Sequence, residues 1–170
     1  MDYSQYLVLY SGGEDSTYFI ESQSTARHLI HYCTFNEYAT KVAVVNANIL
    51  NRSLVLVPDS GVRTGGNESN RFHSLIDAYL ALDAGMRAVQ HGMRGIAICF
   101  NADDSGFATE ALERIFKDVE PAFEILLPLR GMSSRSIREA RITSKLKAAS
   151  CMIDEHCGFC PKCAEQAQSR

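Results

Sequence analysis

The chain has 170 residues and 46% hydrophobic content, which is enough for one well-buried core and too little for two full domains. Its 17 basic and 20 acidic residues give a net charge of -3. This balance argues against a surface that wraps duplex nucleic acid, so direct nucleic-acid binding is not expected and a small-molecule substrate is favoured. The sequence has no charged-then-apolar leader and no apolar stretch of the roughly 20 residues that a membrane span needs, so we expect a reducing, cytoplasmic setting without membrane attachment.

Five apolar runs rich in β-favouring residues are predicted to be strands: 6–10, 28–35, 53–57, 96–100 and 123–127. Helical patterns separate them, and three groups each share an apolar helical face: Val42, Val45, Ile49 and Leu50; Leu75, Ala78, Tyr79 and Leu82; Ala111, Leu112, Ile115 and Phe116. This alternation predicts a doubly wound α/β fold of the Rossmann-like kind, with a mainly parallel five-stranded sheet covered by helices on both faces. We expect one domain over residues 1–170.

In such a sheet, ligands bind at the carboxyl ends of the strands. The segments that follow three of the strands, 11–16, 35–36 and 101–106, are therefore expected to converge there. The polar segment 59–70 contains glycine and lacks periodicity, which predicts a loop over the same edge. It is either a lid or an ordinary surface connection.

The first motif is Ser11-Gly12-Gly13-Glu14-Asp15-Ser16, between the first strand and a predicted helix. Two glycines in this position can take positive φ, and backbone N–H groups at the helix N-terminus favour a phosphate. An ordinary Ser/Gly turn is the alternative. The motif resembles the SGGxDS signature of the PP-loop ATP pyrophosphatases, whose fold is that of the adenine nucleotide alpha hydrolases. The resemblance implies cleavage of ATP to AMP and pyrophosphate during adenylation of a substrate, and no lysine of a GxxxxGK kinase-type loop stands here.

The second motif is a set of four cysteines near the end of the sequence, Cys151, Cys157, Cys160 and Cys163. Two overlapping CxxC units with a fourth cysteine upstream supply four thiolates for one tetrahedral ion, and zinc is the expected metal of a small C-terminal subregion, 148–170. His156 is a possible substitute ligand. The alternatives are a disulfide pair and a redox-active or iron–sulfur cluster, and neither is favoured in this context, in which a reducing cytoplasm is expected.

Both motifs together resemble the 7-cyano-7-deazaguanine synthase (QueC) family of PP-loop enzymes. Further matches are Arg71 with the arginine of the family's RN motif, residues 101–104 with its GVNxxD segment, residues 106–107 with its Gly-Tyr pair, and Pro128 with Ser134-Arg135 for its PL…SK segment. The resemblance implies an ATP-dependent C–N ligase that converts 7-carboxy-7-deazaguanine and ammonia to the nitrile or the related amide in queuosine biosynthesis. It also implies a homodimer.

The chain departs from that family at the position of its FDYGQRH motif, where residues 35–41 read Phe-Asn-Glu-Tyr-Ala-Thr-Lys. The family's Pro-Asp-Cys after Gly-Tyr is replaced by residues 108–110, Ala-Thr-Glu, and its SK lysine by Arg135. The ATP half of the site is therefore better supported than the deazaguanine half. Two other functions remain open, namely a PP-loop adenylating enzyme for another substrate, such as a tRNA base, and a non-catalytic nucleotide-binding protein.

The resemblance assigns roles to individual residues. Nucleotide binding falls to Ser11, Gly12, Gly13, Glu14, Asp15 and Ser16, with Asp15 orienting the loop or placing Mg²⁺. The expected catalytic residues are Asp15, Ser16, Arg71 and Arg135, since arginine binds a departing pyrophosphate well. The expected substrate-binding residues are Asn101, Asp103 and Asp104, with an N-cap role as the alternative for Asp104. ATP, Mg²⁺ and Zn²⁺ are the expected cofactors.

Overall fold

A computed structural model describes residues 1–33, 36–58, 73–104, 106–151, 155–158, 160 and 163, with only the backbone described at 73–74. In chain order the elements are β1 Tyr6–Leu9, α1 Glu14–Ser22, β2 His28–Tyr32, α2 Glu37–Ile49, β3 Ser53–Val57, α3 His73–Gln90, β4 Gly95–Ile98, α4 Thr109–Lys117, β5 Glu124–Leu126 and α5 Ser134–Ala140. The strands form one sheet in the order β3-β2-β1-β4-β5, and every pairing is parallel. The predicted α/β fold class is confirmed.

Side chains alternate between two cores along the central strands. In β1, Tyr6 and Val8 belong to the core beneath α1, α2 and α5, whereas Leu7 belongs to the core beneath α3 and α4. The same alternation separates Leu29 from Ile30 in β2. Because successive strand residues point to opposite faces, a strand buried on both faces is apolar at every position. This explains the continuous apolar runs in the sequence.

The predicted apolar face of α2 is correct for Val42, which is buried, and for Leu50, which packs partly buried against the core, but wrong for Val45 and Ile49. Val45 is 52% exposed and Ile49 is 63% exposed, whereas Val42, Ala43 and Ala47 are buried. Small side chains let the helix axis approach the sheet closely, and the larger ones are left outside. Residue size therefore overrode the apolar pattern.

The predicted sheet-facing side of α3 is also wrong, for the same reason. The buried positions are Ala81, Ala84 and Ala88, while Leu75 and Tyr79 of the predicted face are 66% and 47% exposed. In α4 the prediction is correct for Leu112 and Phe116, which are buried, and wrong for Ile115, which is 59% exposed.

Several strands end earlier than predicted. Tyr10 leaves β1 although its backbone N–H still donates to the carbonyl oxygen of Ile30 at 2.8 Å, and Phe100 lies beyond the end of β4. Both residues line a cavity at the carboxyl edge of the sheet. The predicted loop 59–70 and Phe35 lie outside the described residues. Among the helices that are described, none combines the length and the apolar character needed to cross a bilayer.

Candidate functional site

The connection between β1 and α1 turns sharply at Gly12. This residue has a φ of +78°, and a Cβ at its position would lie 2.8 Å from the carbonyl oxygen of Ala39. Gly13 is the N-cap of α1 and has no side chain with which to cap the first turn. The first N–H groups of an α-helix have no partner within the helix, and the helix dipole favours an anion there, so this turn is a natural position for a phosphate.

Two hydroxyl groups order this turn. Ser11 Oγ lies 3.0 Å from Ser16 Oγ and accepts a hydrogen bond from the backbone N–H of Gly13 at 3.2 Å. The Ser16 hydroxyl also lies 3.4 Å from the carbonyl oxygen of Gly13. Since a hydroxyl both donates and accepts, either serine can exchange an internal hydrogen bond for one to a phosphate oxygen.

Residues 141–151, which follow α5, pack against the turn at Gly12, and we call them the return segment. The backbone N–H of Ala149 donates to the carbonyl oxygen of Gly12 at 2.8 Å. The side-chain amide of Asn46, which is 1% exposed, donates to the carbonyl oxygen of Lys147 at 2.8 Å. The position of the turn therefore depends on chain that lies far away in sequence.

A cavity of about 330 Å³ opens at the carboxyl ends of β1, β2 and β4, within the size range of small-molecule sites. Its apolar lining includes Leu9, Ile30, Leu80, Ile98 and Phe100. Its polar lining includes Ser11, Asp15, Ser16, His31, Asp77 and Asp104. The fold thus brings five of the expected site residues together: Ser11, Gly13, Asp15, Ser16 and Asp104.

The polar lining is acidic. Asp15 comes from α1, Asp77 from α3 and Asp104 from the loop after β4, and neither Lys nor Arg is among the described residues that line the cavity. Carboxylate oxygens are the protein ligands that Mg²⁺ prefers. Among the described residues, however, only the four cysteines bring three or more possible metal ligands together, so the three carboxylates do not form a preassembled metal site.

The other two expected substrate-binding residues connect the β4–α4 loop to α5. Asn101 is 1% exposed, and its Nδ2 donates to Ser134 Oγ at 3.0 Å. Asp103 Oδ2 accepts the backbone N–H of Ser134 at 2.8 Å, and its own N–H donates to Asn101 Oδ1 at 2.7 Å. Asp104 both lines the cavity and accepts the N–H of Asn101 at 2.8 Å. These contacts position the loop that carries Asp104.

The remaining expected residues are placed as follows. Glu14 lies in the first turn of α1, and Arg71 lies outside the described residues. Arg135 has an 87% exposed side chain, and its Nε donates to Glu139 at 2.9 Å, so it is not part of the described cavity lining.

Sequence reasoning missed Asp77, His31 and Cys99. Burial and the nearby Asp15 carboxylate raise the pKa of the Cys99 thiol, which makes it a weak nucleophile. The available signal for Cys99 was its position directly after a strand, at the edge where ligands bind. No comparable signal marks Asp77, because α3 contributes it from the middle of the crossover between β3 and β4.

His31 is held in its neutral form. Its Nδ1 must donate to the carbonyl oxygen of Tyr10, at 2.8 Å, because a carbonyl only accepts, and Nε2 then accepts from the Thr40 hydroxyl at 3.0 Å. Burial lowers the pKa of His31 below its ordinary value of 6.5, and this outweighs the hydrogen bond to Tyr10.

This depressed pKa predicts a loss of stability in mild acid. The unfolded chain takes up a proton near pH 6.5, whereas folded His31 resists it, so its contribution is complete above pH 6.5 and is lost as the pH falls. The slope is at most about 1.4 kcal/mol per pH unit. Urea unfolding of wild type and His31→Asn across this range measures it. An equal pH dependence in both proteins would contradict the assignment.

The four cysteines converge at the C-terminal end of the described chain. Their sulfur atoms all lie within 4.8 Å of one another, with 3.9 Å between Cys151 and Cys160 and 4.0 Å between Cys157 and Cys163. Backbone N–H groups donate to two of the sulfurs, at 3.4 Å from Cys157 to Cys151 and at 3.3 Å from Cys160 to Cys157. Asn36, the N-cap of α2, donates to the carbonyl oxygen of Cys151 at 2.9 Å.

These sulfur separations fit one tetrahedral ion. Zinc–sulfur bonds of about 2.3 Å place the sulfurs of a tetrahedron ~3.8 Å apart. A disulfide requires about 2.05 Å, and all four cysteines are free. A cluster of four iron atoms would separate the thiolates further, because the irons and not a single ion occupy the centre. His156 Nδ1 lies 3.4 Å from Cys163 Sγ, beside the four sulfurs.

No protein-family model and no curated protein matches this sequence. Among solved structures, the U34-tRNA thiolase NcsA from Methanococcus maripaludis, with its [4Fe-4S] cluster, is 15% identical with a TM-score of 0.56. The match covers 96% of this chain and 63% of the thiolase, so this chain spans less than two thirds of that protein. A predicted subunit of tRNA methyltransferase from Methanocaldococcus jannaschii is 16% identical with a TM-score of 0.46, over 79% of this chain and 72% of the other. The chain thus has the fold of the thiolase over nearly its whole length.

Proposed function

We propose that the protein binds ATP at residues 11–16 and transfers AMP to an oxygen atom of an acceptor, with release of pyrophosphate. The proposal depends on the N-terminus of α1, whose N-cap is Gly13 and which lies with the paired hydroxyls of Ser11 and Ser16 at the edge of the cavity. The resemblance of this turn to the SGGxDS signature supports AMP-forming chemistry, and the shared fold with a tRNA thiolase is consistent with it.

The reaction proceeds in two displacements. The acceptor oxygen attacks the α-phosphorus, the bond to the bridging oxygen of the β-phosphate breaks, and its electron pair leaves with pyrophosphate. The acceptor carbon now carries AMP in place of a poor leaving group. A nitrogen or sulfur nucleophile then attacks that carbon, and the C–O bond to AMP breaks.

Different residues of the cavity have different roles in this reaction. The backbone N–H groups at the start of α1 and the hydroxyl of Ser16 bind phosphate oxygens. Asp15, which lines the cavity, would help to place Mg²⁺, which when bound offsets the negative charge of the phosphates. The apolar lining from β2, β4 and α3 excludes water from the reacting atoms.

The acceptor that we favour is a base in RNA. Residues 135–147 contain five cations, Arg135, Arg138, Arg141, Lys145 and Lys147, and one acid, Glu139. This stretch leads into the contacts that Lys147 and Ala149 make beside the phosphate-binding turn. Cations concentrated there suit a phosphate backbone, and the thiolase with this fold acts on U34 of tRNA.

A free deazapurine is the second candidate. The spacing of the four cysteines and the segment 101–107 resemble the 7-cyano-7-deazaguanine synthase family, which uses 7-carboxy-7-deazaguanine and ammonia. The cavity volume of about 330 Å³ accommodates a small acceptor beside the phosphate-binding turn.

We propose zinc as the resident metal of the four cysteines, in a structural role. Four thiolates complete a tetrahedron and leave no position open for chemistry. The hydrogen bond from Asn36 to Cys151 joins this centre to α2, and the return segment joins it to Gly12. The metal would therefore support the nucleotide site indirectly.

An AMP-release assay tests the proposal. Purified protein, ATP and Mg²⁺ are incubated with unmodified tRNA, or with 7-carboxy-7-deazaguanine and ammonium, and AMP and pyrophosphate are quantified. We expect acceptor-dependent AMP that falls roughly 100-fold in Asp15→Asn and is unchanged in the exposed control Glu120→Gln. AMP with tRNA alone supports the RNA reading, and AMP with the deazapurine alone supports the second. No AMP in either mixture, with ATP bound and zinc present, would contradict a catalytic function on these acceptors.

A further inference from the structure

The hydroxyl group of Tyr10 belongs to a buried chain of hydrogen bonds behind the turn at residues 11–16. Tyr10 is 1% exposed, and its hydroxyl lies 2.8 Å from Asn46 Nδ2 of α2 and 3.2 Å from Thr17 Oγ1 of α1. Thr17 is completely buried, and its hydroxyl lies 3.5 Å from the carbonyl oxygen of Gly12. These residues link two helices to the turn without contact with solvent.

The return segment fixes the direction of this chain. Asn46 Nδ2 also donates to the carbonyl oxygen of Lys147 at 2.8 Å, and a carbonyl only accepts, so the nitrogen of the amide must face it. The second proton of that nitrogen is donated to Tyr10. The Tyr10 hydroxyl then has its own proton for Thr17, and the Thr17 hydroxyl has its proton for Gly12. Every donor in the chain therefore points from α2 toward the turn.

Asn46 is costly to bury for a residue that only fills the core. Its Oδ1 is buried and has no hydrogen-bond partner among the described residues. A buried acceptor without a partner lowers stability, and an apolar side chain would pack there without that cost. An amide therefore suits this position because of its two donors, and not because of its packing.

Tyr10 connects Asn46 to the turn, because it immediately precedes residue 11. Its backbone is held independently of Asn46, since its carbonyl oxygen accepts from His31 Nδ1 at 2.8 Å and its N–H donates to Ile30 at 2.8 Å. Its hydroxyl is turned away from the cavity, because neither Asn46 nor Thr17 is among the described residues that line it. The hydroxyl therefore affects a ligand in the cavity only through the position of the turn.

We propose that Asn46 is a positioning residue for nucleotide binding, which joins the return segment to Tyr10 so that the turn at residues 11–16 keeps the geometry that binds phosphate. This role rests on the proposed ATP site, and it makes full affinity depend on a return segment that is docked on Asn46. Two paths lead from the return segment to the carbonyl oxygen of Gly12, one through Asn46 and one direct, from the backbone N–H of Ala149 at 2.8 Å. Because such coupling is reciprocal, bound ATP must in turn stabilise the docked return segment.

Calorimetric titration with ATP and Mg²⁺, without an acceptor, tests this role in Tyr10→Phe, which removes the hydroxyl and keeps the ring. Loss of the hydrogen bonds should raise the dissociation constant roughly tenfold while each chain still binds ATP. A variant that was merely less stable would instead show fewer binding sites of unchanged affinity. The control is Tyr3→Phe, the same change at a tyrosine that packs on Phe19 of α1 in the same core, and it should bind like wild type.

A double-mutant cycle measures whether Asn46 acts through Tyr10. Asn46→Ala should also weaken ATP binding roughly tenfold. The double variant Asn46→Ala/Tyr10→Phe should be about as weak as Asn46→Ala alone, because both changes break the same chain, whereas independent losses would multiply to roughly 100-fold. By reciprocity, ATP should slow amide hydrogen exchange at residues 146–149 in wild type and not in Asn46→Ala.

Wild-type affinity in Tyr10→Phe overturns the proposal and leaves the ATP site in place. So do losses that multiply in the double variant, or ATP-dependent protection that persists in Asn46→Ala. If Asn46→Ala does not fold, Tyr10→Phe and the exchange of wild type with and without ATP decide by themselves, and a lack of protection then overturns the coupling. A wild type that binds no ATP contradicts the proposed function itself, and this role with it.

Discussion

Replacing Gly12 with alanine should reduce AMP formation by roughly 100-fold, the loss expected when a binding group moves by about 1 Å. The φ of +78° disfavours any residue with a Cβ, at a cost of about 1–2 kcal/mol. The new Cβ would lie 2.8 Å from the carbonyl oxygen of Ala39, and neither backbone can yield without moving the turn. The N–H groups at the start of α1 would then no longer meet the phosphates. AMP release and calorimetric titration with ATP measure the effect.

The matched control for this substitution is Gly131→Ala. Gly131 lacks a positive φ, and a Cβ at its position meets nothing within 4 Å, so neither activity nor stability should change. Thermal unfolding of Gly12→Ala distinguishes a displaced turn from an unfolded chain. A folded Gly12→Ala protein with wild-type ATP affinity would show that this turn does not bind the nucleotide.

Removing the metal should lower the free energy of unfolding by on the order of 4 kcal/mol, because loss of a structural metal is among the most destabilising single changes in a protein. Cys160→Ser is the sharpest variant, because Cys160 is buried and its sulfur lies 3.9 Å from that of Cys151. Three thiolates and a hydroxyl bind zinc much less tightly than four thiolates. We also expect weaker ATP binding, since the centre is joined to the turn through Ala149 and Gly12.

Metal analysis, visible absorption and urea unfolding together check this expectation. Wild type should contain one zinc per chain and be colourless, and Cys33→Ser, at a free cysteine outside the cluster, should keep both zinc and stability. Iron with visible absorption would establish a cluster instead of zinc. Wild-type stability in metal-free protein would show that the cysteines have no structural metal.

The sheet and the cysteine centre were predictable because their signals are local. Apolar runs that alternate with helical patterns lead to a doubly wound sheet, and four cysteines within 13 positions bring their own sulfurs together. The turn at residues 11–16 was also predictable from the sequence, because it needs only two glycines between a strand and a helix. The observed strand ends differ by a few residues, because the chain leaves the ladder wherever the cavity begins.

The helix faces were not predictable from apolar spacing alone. In α2 and α3 the small residues Ala43, Ala81 and Ala84 are buried, and larger apolar residues such as Ile49 and Leu75 are exposed. Which face approaches a sheet depends on how closely the backbones can pack, and that is set by residues from several elements at once.

The sequence alone determined the fold class, the glycine turn at residues 11–16 and a four-cysteine centre, because these depend on neighbouring residues. Only the tertiary structure placed Asp77 in the same cavity as Asp15, and Ala149 against Gly12. It also placed the carboxylates of Asp15, Asp77 and Asp104 in one cavity, which the net charge of -3 conceals, whereas the cations concentrated at 135–147 are already visible in the sequence. Residues that are far apart in the sequence give no local pattern from which their contact could be predicted. Electrostatic interactions likewise depend on distances in space, which the sequence does not give.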